Sequence, residues 1–145
     1  MAAAPAAQAD DEGVYRAWIA ENSTLLKLEN ALGKNLNTWS RSGGKKGGPA
    51  LERIAKMRAL IARRREAVAG EDASSGAGGS GRKNALASLR NYDSALVKLR
   101  RAVQAGMAGR SKSASSYIGQ YDKLVSRSQA YEQRALDAFE EAGVI

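Results

Sequence analysis

Apolar residues recur at intervals of three and four along most of this chain, and glycine-rich stretches interrupt them at three places. Spacing of that kind places the apolar side chains on one face of a helix. The first periodic stretch carries Val14, Trp18, Leu25, Leu28, Leu32, Leu36 and Trp39, with polar Asn22 where another apolar residue would continue the stripe. Asp10 or Asp11 is placed to cap its start, and Glu12 adds negative charge in the favoured first turn. Gly33 lies inside the pattern at a cost of about 1 kcal/mol against Ala. Because Leu36 and Trp39 keep the stripe, the reading carries this helix through Gly33 to Trp39.

Residues 40–48 (S-R-S-G-G-K-K-G-G) read as a loop, and Pro49 suits the first position of a second helix over 49–69. Its stripe is read as Leu51, Ile54, Ala55, Ile61, Ala62 and Val68, with Arg58 and Arg65 at the edge, their stems packed and their charges in water. Residues 70–81 (G-E-D-A-S-S-G-A-G-G-S-G) read as a linker. A third helix from Arg82 shows the cleanest pattern, with Leu86, Leu89, Tyr92, Leu96, Leu99, Val103 and Met107; Gly106 and Gly109 end it. A loop over 109–116 leads to a fourth helix over 114–142, which carries Tyr117, Ile118, Tyr121, Leu124, Val125, Tyr131 and Phe139, with polar Ser128 in the stripe; Gly143 closes it. Asn22 and Ser128 are candidates for register-fixing buried hydrogen bonds.

The expectation is an all-α, up-down-up-down antiparallel four-helix bundle, since short polar connections favour antiparallel neighbours. It divides into a flexible segment 1–9 and a single domain 10–145, built from a hairpin 10–69, the linker 70–81 and a hairpin 82–142. Residues 22–32 (N-S-T-L-L-K-L-E-N-A-L) and 93–103 (D-S-A-L-V-K-L-R-R-A-V) share five of eleven residues. Two readings stand: the hairpins are copies of one another, or two amphipathic helices share leucine spacing by physics alone. A duplication would supply each apolar face with its mate.

Composition supports the helical reading. Hydrophobic residues make up 43% of the 145, but Ala and Leu dominate them, and the single Phe and two prolines leave little for a sheet. The chain has no Cys and no His, which removes thiolate chemistry, the commonest general base and the commonest transition-metal ligand. No pair of carboxylates stands out either, so the expectation is a protein without catalytic residues, metal or cofactor. The glycine-rich G-G-K-K-G-G at 43–48 lacks the spacing of a phosphate loop. No apolar run has the length of a membrane span. Met1–Ala9 lack a signal peptide's basic start and apolar middle, and read either as a native flexible start or as the residue of processing. The expectation is a soluble chain, whether cytoplasmic or exported.

The chain carries 23 Lys and Arg against 15 Asp and Glu, a net +8. The excess lies in residues 41–112, with 17 basic against 5 acidic. The candidate anion-binding residues are Lys45, Lys46, Arg53, Lys56, Arg63, Arg64, Arg82, Lys83, Arg90, Lys98, Arg100, Arg101, Arg110 and Lys112. If the second and third helices are neighbours, these residues form one broad basic side that attracts anionic partners. Trp39, at a helix end beside a glycine loop, is a candidate protein anchor. Two functions follow. The first is a non-enzymatic accessory or scaffold subunit that docks through the basic side on a larger assembly, its partner an acidic protein surface. The second is a sequence-independent binder of an anionic polymer, most plausibly nucleic acid, without the interleaved aromatics that stack on bases. Homo-oligomerisation through acidic outer and basic inner helices is a further expectation.

Overall fold

A computed structural model describes residues 5–145, with side chains from Gln8 onward. The fold is all-α, a four-helix bundle, with no strand among the described residues. The elements are α1 (Pro5–Ile19), α2 (Asn22–Arg41), α3 (Gly48–Gly70), α4 (Gly76–Met107) and α5 (Ser111–Glu141). No helix is long and apolar enough to cross a membrane among the described residues. The expected flexible segment 1–9 falls partly outside the described residues; from Pro5 onward it belongs to α1, where proline's missing amide costs nothing in a first turn.

The chain divides into two compact units. The first combines α1 with residues 62–91 and 126–145; the second combines residues 21–61 with 92–125. Each unit thus contains four helical segments, and α3, α4 and α5 contribute to both.

The first expected helix is two helices. It breaks at Ala20–Glu21, where Glu21 takes a left-handed backbone, φ 61°. α2 then begins at Asn22, which is exposed, so the polar gap in the stripe marks a helix start and fixes no register. α2 does continue through Gly33, as expected, and ends at Arg41.

In the first unit the core holds Val14, Trp18, Val68, Leu89 and Phe139. Tyr15, Trp18 and Phe139 meet at ring-centroid separations of 5.4–6.4 Å. Asp11 is also buried here. Its carboxylate accepts from the backbone amides of Ser74, at 2.9 Å, and Ser75, and from the Ser75 hydroxyl. The Ser75 hydroxyl in turn accepts from the Gly78 amide at 2.8 Å. Ser75 is therefore the cap of α4, anchored by a charge on α1. This corrects the linker 70–81. α4 starts at Gly76, and four of the five glycines of that stretch lie inside it. A Cβ on Gly78 would overlap the Asp11 carboxylate, and one on Gly81 would stand 2.7 Å from Cε1 of Phe139. These glycines admit neighbouring side chains to the helix backbone; they do not loosen the chain.

Ser88 and Ser128 are buried as a pair, the Ser128 hydroxyl donating to the Ser88 carbonyl at 2.9 Å with the two hydroxyls 3.2 Å apart. Ser128 thus holds a buried hydrogen bond as read from its place in the stripe, and it joins α4 to α5.

The buried stripe of α3 is Ala50, Ile54, Met57, Leu60, Ile61, Arg64 and Val68. This face is rotated from the one read in the sequence: Ala55 and Ala62 are exposed, and Arg64 lies in the stripe. Its guanidinium donates to the Ala20 carbonyl at the end of α1, completing the break between α1 and α2.

The second unit is two hairpins. Its core holds Leu32, Ile54, Met57, Leu60, Ile61, Leu96, Leu99 and Val103. Arg58 of α3 pairs with Asp93 of α4 at 2.9 Å, which makes these helices neighbours. The similar segments 22–32 and 93–103 both belong to this unit, and their matched positions Leu32 and Val103 are both buried.

Candidate functional site

The second unit carries 14 Lys and Arg against 5 Asp and Glu, a net +9; the first carries 9 against 10, a net −1. The chain's positive excess therefore belongs to one unit, a division that differs from the sequence bands of charge. The break at Ala20–Glu21 causes much of the difference. It assigns Asp10, Asp11 and Glu12 to the first unit and Lys27, Lys34 and Arg41 to the second.

Within the second unit five cations, Arg41, Lys45, Lys46, Arg110 and Lys112, lie in or beside the two turns. No acidic residue lies between Glu29 and Glu52, nor between Asp93 and Asp122. Those two stretches hold nine cations: Lys34, Arg41, Lys45, Lys46, Lys98, Arg100, Arg101, Arg110 and Lys112. They also contain both turns, residues 42–47 and 108–110. The turns are packed together. A Cβ on Gly44 would stand 3.1 Å from the Gly106 Cα, and a Cβ on Gly106 would meet Cζ2 of Trp39 at 2.7 Å. Gly47 is buried against Val103 and Met107. Glycine at 44, 47 and 106 lets the two hairpins approach backbone to backbone.

The turn at 108–110 is fixed by Gly109, whose φ of 75° suits glycine, and by amide bonds from Gly109 to the Gly106 carbonyl and from Arg110 to the Ala105 carbonyl, the latter 2.8 Å. α5 begins at the next residue. Arg110 is therefore held over the last turn of α4. A groove of about 300 Å³ opens here, lined by Arg101, Gln104, Arg110, Ser113 and Tyr117 over a floor of Ala105 and Ala108. The Lys98 ammonium stands 5.9 Å from the centroid of the Tyr117 ring.

The structure separates the candidate cations by unit and by what they touch. Lys45, Lys46, Arg53, Lys56, Lys98, Arg100, Arg101, Arg110 and Lys112 belong to the second unit; Arg63, Arg64, Arg82, Lys83 and Arg90 belong to the first. Arg64 is buried and Arg82 donates to the carbonyls of Ala69, at 2.8 Å, and Glu71, so both serve the ends of helices. Lys56 pairs with Glu52 along its own helix at 3.2 Å. Trp39 is half-buried on Gly106, where any side chain would displace it.

Lys34, Arg41, Gln104 and Ser113 are not singled out by sequence reasoning as binding residues. Lys34 falls on a stretch that the periodicity joins to acidic α1, and Arg41 on the loop read over 40–48. Tyr117 reads as part of the α5 core stripe, although the absence of acid from Ser94 to Tyr121 is visible in the sequence. Deeper along α5, Tyr121 has its phenol pKa raised, first by burial and then by the carboxylates of Asp122 and Glu29. No known protein family, curated protein or solved structure matches this chain.

Proposed function

We propose that this chain is a non-enzymatic binder of anionic polymers, nucleic acid above all, which it engages through the turn end of the second unit. The observation that carries the reading is the pair of stretches with nine cations and no carboxylate, brought together by the Gly44–Gly106 approach. Interfaces with nucleic acid are strongly positive, whereas the cores of protein interfaces are depleted in Lys and enriched in exposed aromatics. With Trp39 half-buried against Gly106 and Tyr117 the one aromatic among the groove's lining residues, this end reads phosphates and not sequence.

The test is a fluorescence-anisotropy titration of random-sequence DNA and RNA from about 50 to 200 mM salt, the range over which phosphate-bound proteins lose most of their affinity. Binding that is indifferent to sequence and falls linearly on a log–log salt plot is expected. Absence of binding to either polymer near physiological salt overturns the reading.

A second reading is docking on an acidic protein surface as an accessory subunit. It is favoured by Leu26 and Met107, large apolar residues 59% and 45% exposed on this same unit. It predicts a co-purifying acidic partner and binding that survives Lys-to-Gln changes better than Met107→Ser.

A further inference from the structure

We infer that the groove between the end of α4 and the start of α5 is a subsite for one tetrahedral phosphate group, with Arg101 and Arg110 as its clamps. This rests on the polyanion reading above and names the chemistry at its centre. The groove is built from a stripe of α4 and the first turns of α5. Arg101 and Ala105 are four apart on α4, Ala108 follows in the turn, and Ser113 and Tyr117 are four apart on α5.

Arg101 and Arg110 reach this groove from opposite sides of the Gly109 turn. Among the described residues neither forms an ion pair, and no carboxylate lies within the 28 residues 94–121 to satisfy them. Two arginines lining a common groove offer the paired N–H donors that phosphate accepts. Gln104, Ser113 and Tyr117 add an amide and two hydroxyls, enough donors for the remaining oxygens. Ala105 and Ala108 keep the floor shallow. The volume, about 300 Å³, is at the small end of ligand sites and has room for a phosphate group. The other cations of the turn end then face the flanking phosphates.

The same chemistry has two sources in a nucleic acid, an internal phosphodiester and a terminal phosphomonoester. The experiment separates them. Amide chemical shifts of the full chain are followed on titration with inorganic phosphate at constant ionic strength, with chloride as the control. Affinities are then measured for one oligonucleotide with and without a 5′-phosphate. The variants are Arg101→Gln/Arg110→Gln and, as a charge-matched control on the other turn, Lys45→Gln/Lys46→Gln; all four residues are exposed, and circular dichroism checks the fold.

Saturable phosphate shifts centred on residues 101–117, lost in the arginine pair and kept in the lysine pair, are expected. So is a loss of oligonucleotide affinity of about 10–100-fold for the arginine pair, the effect of removing charged hydrogen bonds, well beyond that of the lysine pair. A wild-type preference for the 5′-phosphorylated oligonucleotide assigns the subsite to chain ends; equal affinity assigns it to the backbone. Equal losses from both pairs, with no localised phosphate shift, overturn the subsite and leave the polyanion reading standing. Localised phosphate shifts without oligonucleotide binding overturn the polyanion reading and keep the subsite.

Discussion

The Asp11 carboxylate occupies the space that a side chain on Gly78 would fill. One consequence is that α1, α4 and the Ser74–Ser75 cap form a single arrangement in which a buried charge is satisfied by backbone amides and a hydroxyl. Another is that the glycines of the S-S-G-A-G-G-S-G stretch are not equivalent. Gly78 and Gly81 are filled by Asp11 and Phe139, whereas a Cβ on Gly79 meets nothing within 4 Å.

Glycine-to-alanine changes along this one turn should therefore split in sign. Gly79→Ala should stabilise by up to about 1 kcal/mol through helix propensity. Gly78→Ala and Gly81→Ala should each destabilise by about 1–3 kcal/mol through overpacking. Urea unfolding of the three variants checks this, and a flexible linker over 70–81 would show no such split.

Arg64→Met keeps the buried stem and removes the donor to the Ala20 carbonyl. A loss of about 1–3 kcal/mol is expected for leaving that helix end unsatisfied. The exposed Arg127 of α5, changed the same way, should fall within about 0.5 kcal/mol of wild type. Thermal unfolding of both variants gives the comparison.

Charge segregation predicts which cations matter for polyanions. The triple change Lys45→Gln, Lys46→Gln and Lys112→Gln in the second unit should weaken DNA binding and flatten its salt slope, by about 0.9 for each duplex phosphate left without its cation. Arg63→Gln, Lys83→Gln and Arg90→Gln in the first unit remove the same charge and should change the slope by less than the value for a single phosphate. Anisotropy at a series of salt concentrations reads both.

Tyr121 supplies a pH dependence. Burial, then Asp122 and Glu29, raise its folded-state pKa above the ordinary 10.0. Above pH 10 the unfolded chain releases this proton before the folded chain does, so the unfolded state binds fewer protons and stability falls as pH rises. The contribution is complete below pH 10 and is lost as pH rises through the folded value. Tyr121→Phe should therefore show a shallower alkaline loss of unfolding free energy than wild type, measured by urea denaturation from pH 9 to 11.

The sequence by itself determined the helical class, the presence of two turns (read over 40–48 and 109–116, found at 42–47 and 108–110), and the stripe of α4 apart from exposed Met107, because leucine periodicity and glycine punctuation are local signals. Leu96, Leu99 and Val103 are buried as their spacing requires, and Gly143, at a positive φ of 79°, closes α5. What only the tertiary structure decided are features made by residues far apart in the chain. The break at Ala20–Glu21 is completed by Arg64, 44 residues away, and the start of α4 is set by Asp11, 63 residues before Ser74. A glycine that bends a chain and one that admits a neighbour look alike in a sequence, since the difference lies in the atoms opposite. The same holds for charge. Lys34, Arg41 and Lys45 share one unit with Arg101 and Arg110, and the two turns of that unit meet at Gly44 and Gly106.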